Sequence, residues 1–245
     1  MSTARGARAR AREEVTAAIK DEARRQLAAE GAAKLSLRAV ARELGMVSSA
    51  LYRYFPSRDE LLTALIIDAY DSLGEAAERA DAALLKKAGK AAGAGSGGKV
   101  TPVRRWVAVS EAVRAWALAH PHEYALIYGS PVPGYTAPMT TVPAASRVGL
   151  LFFGIVRDAH QDRGVAQPPL PAELRPEAER LAADLAPDLP PAVVAALVAA
   201  WAQLFGLIGF ELFGQFNRVV EDRTAFFSHA ATQLAHGVGL VLPRE

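Results

Sequence analysis

Residues 36–55 read Ser-Leu-Arg-Ala-Val-Ala-Arg-Glu-Leu-Gly-Met-Val-Ser-Ser-Ala-Leu-Tyr-Arg-Tyr-Phe. Two short helical patterns sit on either side of one glycine. Leu37, Val40, Ala41 and Leu44 share a face of the first. Ser36 stands just before it, where a hydroxyl can accept from a free backbone N–H. Gly45 ends it, because glycine reaches positive φ at little steric cost. A second helix is expected from about Ser48 to Phe55. Met46, Ala50, Leu51 and Phe55 then pack back against Val40 and Leu44, and the small Ala41 lets the two helices cross closely. Two short helices joined by a glycine-containing turn form a helix-turn-helix. Ser48, Ser49, Tyr52, Arg53 and Tyr54 are left pointing away from the core. Such groups near a helix N-terminus can contact base edges and phosphates in a major groove. Any helical hairpin with a polar outer face shows the same period, so on periodicity both readings stand.

The flanking sequence is helical as well, and strand signals are almost absent. Val15, Ile19, Ala23 and Leu27 mark a helix from about Arg8 to Glu30, ended by Gly31. Pro56-Ser57-Arg58-Asp59-Glu60 opens the next, with Ser57 and Glu60 as a capping box. Its apolar face (Leu61, Leu62, Leu65, Ile66, Ala69, Leu73) continues to the high eighties. Residues 89–100 are a flexible linker by composition. Thr101-Pro102 starts another helix, broken at Pro121, and a short one follows to about Tyr128. Further helices are expected at 144–163, 176–185, 191–218 and 223–240. The fold class is all-α with about nine helices. The expected division is a helix-turn-helix head over 1–57, with 1–10 a disordered basic arm, and a larger helical body over 58–245.

Leu37-x-x-Val40-Ala41-x-x-Leu44-Gly45, Leu51-Tyr52-x-Tyr54-Phe55 and Ser57-Arg58-x-Glu60-Leu61-Leu62 together are specific. Over residues 10–70 the chain closely resembles the DNA-binding domain of the TetR family of bacterial transcriptional regulators. The resemblance implies a three-helix head whose third helix reads DNA, and a long fourth helix leading to a ligand-binding and dimerisation body. It places Tyr52 at a phosphate-contacting tyrosine, Tyr54 where histidine is common, and Arg58 at the basic position opening helix four. Arg38, early in helix two, is another phosphate candidate. One departure matters. The usual Val-Ser after the turn glycine is Met46-Val47 here, so the capping serine is missing. Either Ser48 caps one residue later or the helix starts uncapped, at a cost of about 1 kcal/mol. The stretch from His120-Pro-His-Glu-Tyr to Gly129-Ser-Pro-Val-Pro-Gly134 resembles the body of a subgroup with uncharacterised ligands.

Charge and composition are compatible with that reading. Residues 1–60 hold 12 Lys+Arg and 8 Asp+Glu, and the remainder 16 and 18 of the chain's 28 and 26. A basic head on a slightly acidic body suits a polyanionic partner, although a solvated charged face has the same composition. Arg5, Arg8, Arg10 and Arg12 precede the first acid, Glu13. This arm is expected to be disordered when free and to lie along phosphates or in a minor groove when bound. There is no cysteine, which removes disulfides and thiolate metal sites and fits a cytoplasmic location. Leu189 to Phe210 lacks charge over a length that could span a bilayer. Without basic flanks or an aromatic belt it reads instead as a core or interface helix.

Chemical motifs are weak. Gly93-Ala-Gly95-Ser-Gly-Gly98 matches G-x-G-x-x-G but follows a helix instead of a strand, so it reads as linker. His120 and His122 have no supporting ligands for a metal. No constellation suggests an enzyme, a metal or a cofactor. In the body, Trp201, Phe205, Phe210, Phe213 and Phe216 exceed what one helix needs for its own core, and are expected at a two-fold dimer contact. Trp106, Arg114, Trp116, Tyr128, Phe152, Gln203 and Glu211 are candidate ligand-pocket residues, mostly apolar with a few polar groups. The function expected from these features is a homodimeric, ligand-responsive regulator, a repressor by default, on a near-palindromic operator. The competing reading is a helical ligand- or partner-binding protein whose DNA binding is vestigial. A weaker third is a membrane-attached regulator using 189–210.

Overall fold

Local stop and start chemistry sets the helix boundaries. The computed structural model describes residues 2–93, 100–162 and 164–241. Its helices are α1 (Ser2–Glu30), α2 (Leu37–Glu43), α3 (Ser48–Leu51), α4 (Arg58–Gly93), α5 (Pro102–Ala119), α6 (Pro121–Tyr128), α7 (Val142–Asp162), α8 (Arg175–Leu185), α9 (Pro191–Leu212) and α10 (Arg223–Gly237). No strand occurs among the described residues. The all-α expectation holds, with ten α-helices among the described residues where about nine were expected.

Ser36 caps α2 by accepting from the Ala39 N–H, and Ser57 caps α4 by accepting from Glu60 at 3.1 Å. The Thr101 hydroxyl accepts from the Arg104 N–H and caps α5. Three expectations need correction. Residues 2–10, read as a disordered arm, are the first turns of α1. Arginine and alanine are among the strongest helix formers, and they alternate over residues 7–12. The segment read as a linker begins inside α4, which continues to Gly93; residues 94–99 lie outside the described residues. Finally, α9 stops at Leu212 and not at 218, because Gly214 (φ +86°) and Arg218 (φ +65°) turn the chain.

Two compact units emerge. The first comprises Met1–Asp71 and His120–Ala145, so it does not end at residue 57. The physical reason is core area. Ile19, Ala23, Leu27, Leu37, Val40, Ala41, Leu51 and Phe55 share one cluster with Leu61, Leu62, Leu65 and Ile66 of α4. Leu126, Ile127, Val132 and Tyr135 pack against it. Asp68 fastens α4 to α1, taking Lys20 Nζ at 2.8 Å and Arg24 Nη2 at 2.7 Å, and Arg24 Nε lies 3.3 Å from Glu123 of α6.

The second unit comprises Ser72–Ala119 and Ser146–Glu245. Val103, Trp106, Val109 and Val113 of α5 are buried, as are Phe152, Ile155 and Val156 of α7 and Val193, Val194, Leu197, Leu204 and Ile208 of α9. Bidentate ion pairs tie the helices together. Arg105 grips Asp81 at 2.8 Å twice and reaches Asp158, and Arg147 grips Glu78. Gly74 lets Arg147 cross α4 closely, since a Cβ there would meet the Arg147 side chain at 2.8 Å.

Candidate nucleic-acid interface

The α2–α3 turn is fixed by the backbone. Met46 N–H donates to Ala41 C=O at 2.8 Å and Gly45 N–H to Arg42 C=O at 3.1 Å. Gly45 itself sits at φ +64°. This is a Schellman stop, and it requires a residue that tolerates the left-handed region. It sets the angle at which α3 leaves α2.

α3 is shorter than expected, four residues followed by a tightened turn in which Tyr54 N–H donates to Leu51 C=O at 2.8 Å. Val47 occupies its cap position with no side-chain hydrogen bond and is 70% exposed. Ser48 does not cap; it is the first helical residue. Leu51 is fully buried and Phe55 nearly so, which pins the helix to the core. Ser48, Ser49, Tyr52 and Arg53 are all exposed, Tyr52 by 42%. Arg38 on α2 is exposed too, and among the described residues neither Arg38 nor Arg53 makes an ion pair.

Two candidates sit differently. Tyr54 is half-buried, with the Arg12 guanidinium 5.5 Å above its ring. Arg58 turns inward: its Nη2 donates to the carbonyls of Ala32 (2.9 Å) and Ala33 (3.3 Å). Arg58 thereby holds the turn after α1, with its Nη2 already engaged. The Arg12–Tyr54 contact was missed in the sequence. Its signal is the stripe 8, 12, 15, 19, 23, 27, spaced by three or four residues.

Family comparison decides what this surface belongs to. Residues 19–65 match the family model described as bacterial regulatory proteins, tetR family, and residues 106–234 match the tetracyclin repressor-like C-terminal domain. The chain belongs to the TetR family. This TetR-family chain is 40% identical over 218 residues to the HTH-type transcriptional regulator Mb1846 of Mycobacterium bovis, covering 86% of each. The crystal structure of SCO4313, described as regulatory, superposes with a TM-score of 0.67 at 32% identity, covering 93% of this chain and 98% of that one. RolR, crystallised with resorcinol, shares the fold at 14% identity and a TM-score of 0.52, covering 96% and 98%. The protein is therefore a DNA-binding transcriptional regulator with an all-helical fold.

The expected pocket residues of this TetR-family body separate on inspection. Trp106 and Phe152 meet in the second unit with ring centroids 4.3 Å apart, both fully buried. Trp116 donates its indole N–H to Ser72 Oγ at 2.9 Å. Arg114 and Glu211 bind each other through two 2.6 Å hydrogen bonds, so each neutralises the other. Hydrogen bonding to Glu211 raises the Arg114 pKa against the opposing effect of burial. Gln203 is exposed and donates to its own helix at Ala199.

Tyr128 belongs to the first unit, beside Tyr70 (5.9 Å) and Tyr124 (5.2 Å). Burial pushes all three phenols above the ordinary 10.0. The neutral phenol is thus favoured in the fold. Stability is complete below pH 10 and falls as pH rises further, because the unfolded phenols ionise first. At about pH 11 the cost is up to about 1.4 kcal/mol for Tyr128, and less for the more solvent-screened phenols of Tyr70 and Tyr124. Urea midpoints measured from about pH 9 to pH 11 should fall more steeply for wild type than for Tyr124→Phe/Tyr128→Phe. Parallel curves would refute the assignment.

Of the expected dimer residues, Phe210 and Phe213 are 54% and 49% exposed and Trp201 is 38%. Phe205, expected at the same contact, is buried within the protomer, unlike these three. Phe226 of α10 is exposed and continues the aromatic row, through Phe216 at 5.6 Å and then Phe210 at 5.7 Å.

Proposed function

We propose that this regulator is a cytoplasmic homodimeric repressor that reads a near-palindromic operator and is released by a small-molecule effector. One observation supports it most: the exposed row Ser48, Ser49, Tyr52 and Arg53 stands on a backbone-locked turn. A rigid, polar helix start followed by a cation-bearing turn suits major-groove readout. Arg38 on α2 serves as a phosphate contact beside it. Selection of duplexes from a random-sequence library by the full-length protein tests the reading. Enriched sequences should carry two inverted half-sites about one helical turn or a multiple apart. Failure to enrich any sequence would favour vestigial DNA binding.

The dimer rests on Trp201, Phe210, Phe213 and Phe226, an exposed aromatic surface on the last two helices and the turn between them. A two-fold four-helix contact would cover it. Phe210→Asp places a charge in that contact and should convert the dimer to a folded monomer in sedimentation velocity. A variant that stays dimeric at micromolar concentration refutes this interface.

The effector site is assigned to the second unit, around Trp106 and Phe152. The Trp106 indole N–H is buried with no hydrogen-bond partner among the described residues, so it can serve as a donor to a ligand acceptor. Arg114 and Glu211 are not assigned to the ligand, since they satisfy one another. Release follows if the effector biases α4, the continuous helix whose residues enter both units. A coupling of about 1–3 kcal/mol gives roughly 5- to 150-fold relief.

A further inference from the structure

The packing face of α1 changes chemistry along its length. Ile19, Ala23 and Leu27 are buried and Val15 is half-buried on one stripe of the helix. At 3.6 residues per turn, Arg12 and Arg8 lie on that same stripe, about 40° apart. They occupy the two turns that overhang the head core, where every residue from Ala7 to Glu14 is exposed. Arg10 falls about 160° from Arg12, and its Nε points back to the Gly6 carbonyl at 3.4 Å. Glu13 and Glu14 lie off the stripe by about 100° and 160°. The overhanging stripe is therefore cationic, while acids lie elsewhere on the helix.

The stripe also has a defined direction. The Arg12 guanidinium rests over Tyr54, at the end of the α3 turn. Arg12 thus lies beside the end of the segment that carries Ser48, Ser49, Tyr52 and Arg53. Arg8 stands one turn, about 5.4–6 Å, farther out along α1. A disordered arm would sample all directions, but a helix continuous with the core holds these two charges in fixed register with α3.

We infer that the N-terminal overhang of α1 is a second DNA-binding element, in which Arg8 and Arg12 engage the phosphate backbone bordering the groove entered by α3. It rests on the regulator reading above and adds a contact outside the helix-turn-helix. Charge complementarity supplies the occupant: two cations with no acid on their stripe face the polyanion that α3 addresses. Each phosphate contact releases condensed counterions and steepens the salt dependence of binding.

The test uses full-length protein and the duplex it enriches from the random library, titrated across a salt series. R8A/R12A should flatten the slope of log K against log salt by about 1.8 per bound protomer, hence about 3.6 for a dimer. R8A alone, which leaves the Arg12–Tyr54 contact intact, should flatten it by about half as much. R10A, on the opposite side of the helix, should keep the wild-type slope, and R8K/R12K should restore it. Alanine at these exposed positions preserves helix propensity, and circular dichroism melting checks that the head is intact. An unchanged slope in R8A/R12A overturns the inference. So does an R10A effect equal to that of R8A. Failure of wild type to enrich any duplex would instead remove the regulator reading itself.

Discussion

Changing Arg53 to alanine together with Tyr52 to phenylalanine should abolish sequence-specific retention of the selected duplex while leaving the fold intact. Both side chains are exposed on the turn that follows α3, and neither contributes to the cluster built on Leu51 and Phe55. Melting temperature should therefore move little, as for other surface substitutions. The binding loss should be large. A bidentate arginine contact to a base is worth about 1–3 kcal/mol of discrimination. A dimer loses it twice, so the expected loss is about 30-fold to on the order of 10⁴-fold. Loss of the Tyr52 hydroxyl adds a phosphate hydrogen bond to that deficit.

The measurement is competition of the selected duplex against a scrambled one at fixed salt. Residual binding should become sequence-independent and steeply salt-dependent, because the phosphate contacts of Arg38 and of the α1 overhang survive. Undiminished discrimination in the double variant would show that α3 does not read the bases. A variant that also fails to fold would contradict the burial pattern, since Leu51 and Phe55, not Tyr52 and Arg53, anchor the helix.

Elements with local stop and start chemistry were legible in the sequence. Ser36, Gly45, Ser57, Thr101-Pro102 and Pro121 each impose a boundary through one hydrogen bond, one positive φ or one missing N–H. Where the same composition serves two states, reading failed. Alternating arginine and alanine at 7–12 fits a basic arm or a helix, and only continuity with the packed Ile19 stripe selects the helix. The apolar period runs unbroken from α9 into Phe213 and Phe216, yet Gly214 at positive φ turns the chain. Interactions distant in sequence were invisible. Arg58 fits a phosphate contact until the Ala32 and Ala33 carbonyls are placed beside it, 26 and 25 residues earlier.

The same limitation produced the Arg114 and Glu211 assignment, and their separation of 97 positions explains why. Each is a lone charge on an apolar helix, which resembles a ligand-binding group until the other is seen. Together they lock α5 to α9, and the Arg114 guanidinium also sits 5.3 Å over the Phe227 ring of α10. Their side chains are only 15% and 6% exposed. Breaking such a pair strands an uncompensated charge. Arg114→Ala, which leaves Glu211 buried alone, should cost about 3–5 kcal/mol. For a chain of this size that lowers Tm by roughly 6–20 °C. Glu211→Ala should cost a comparable amount. Replacing both, as Arg114→Met/Glu211→Leu, removes the stranded charge and should recover most of the loss, since an apolar pair of similar volume is neutral or better. The decisive quantity is the coupling energy from melts of the two single variants and of the double. A large recovery identifies a structural clamp between α5 and α9. Additive losses with no recovery would show that each side chain acts independently, and would return both to the list of candidate ligand contacts.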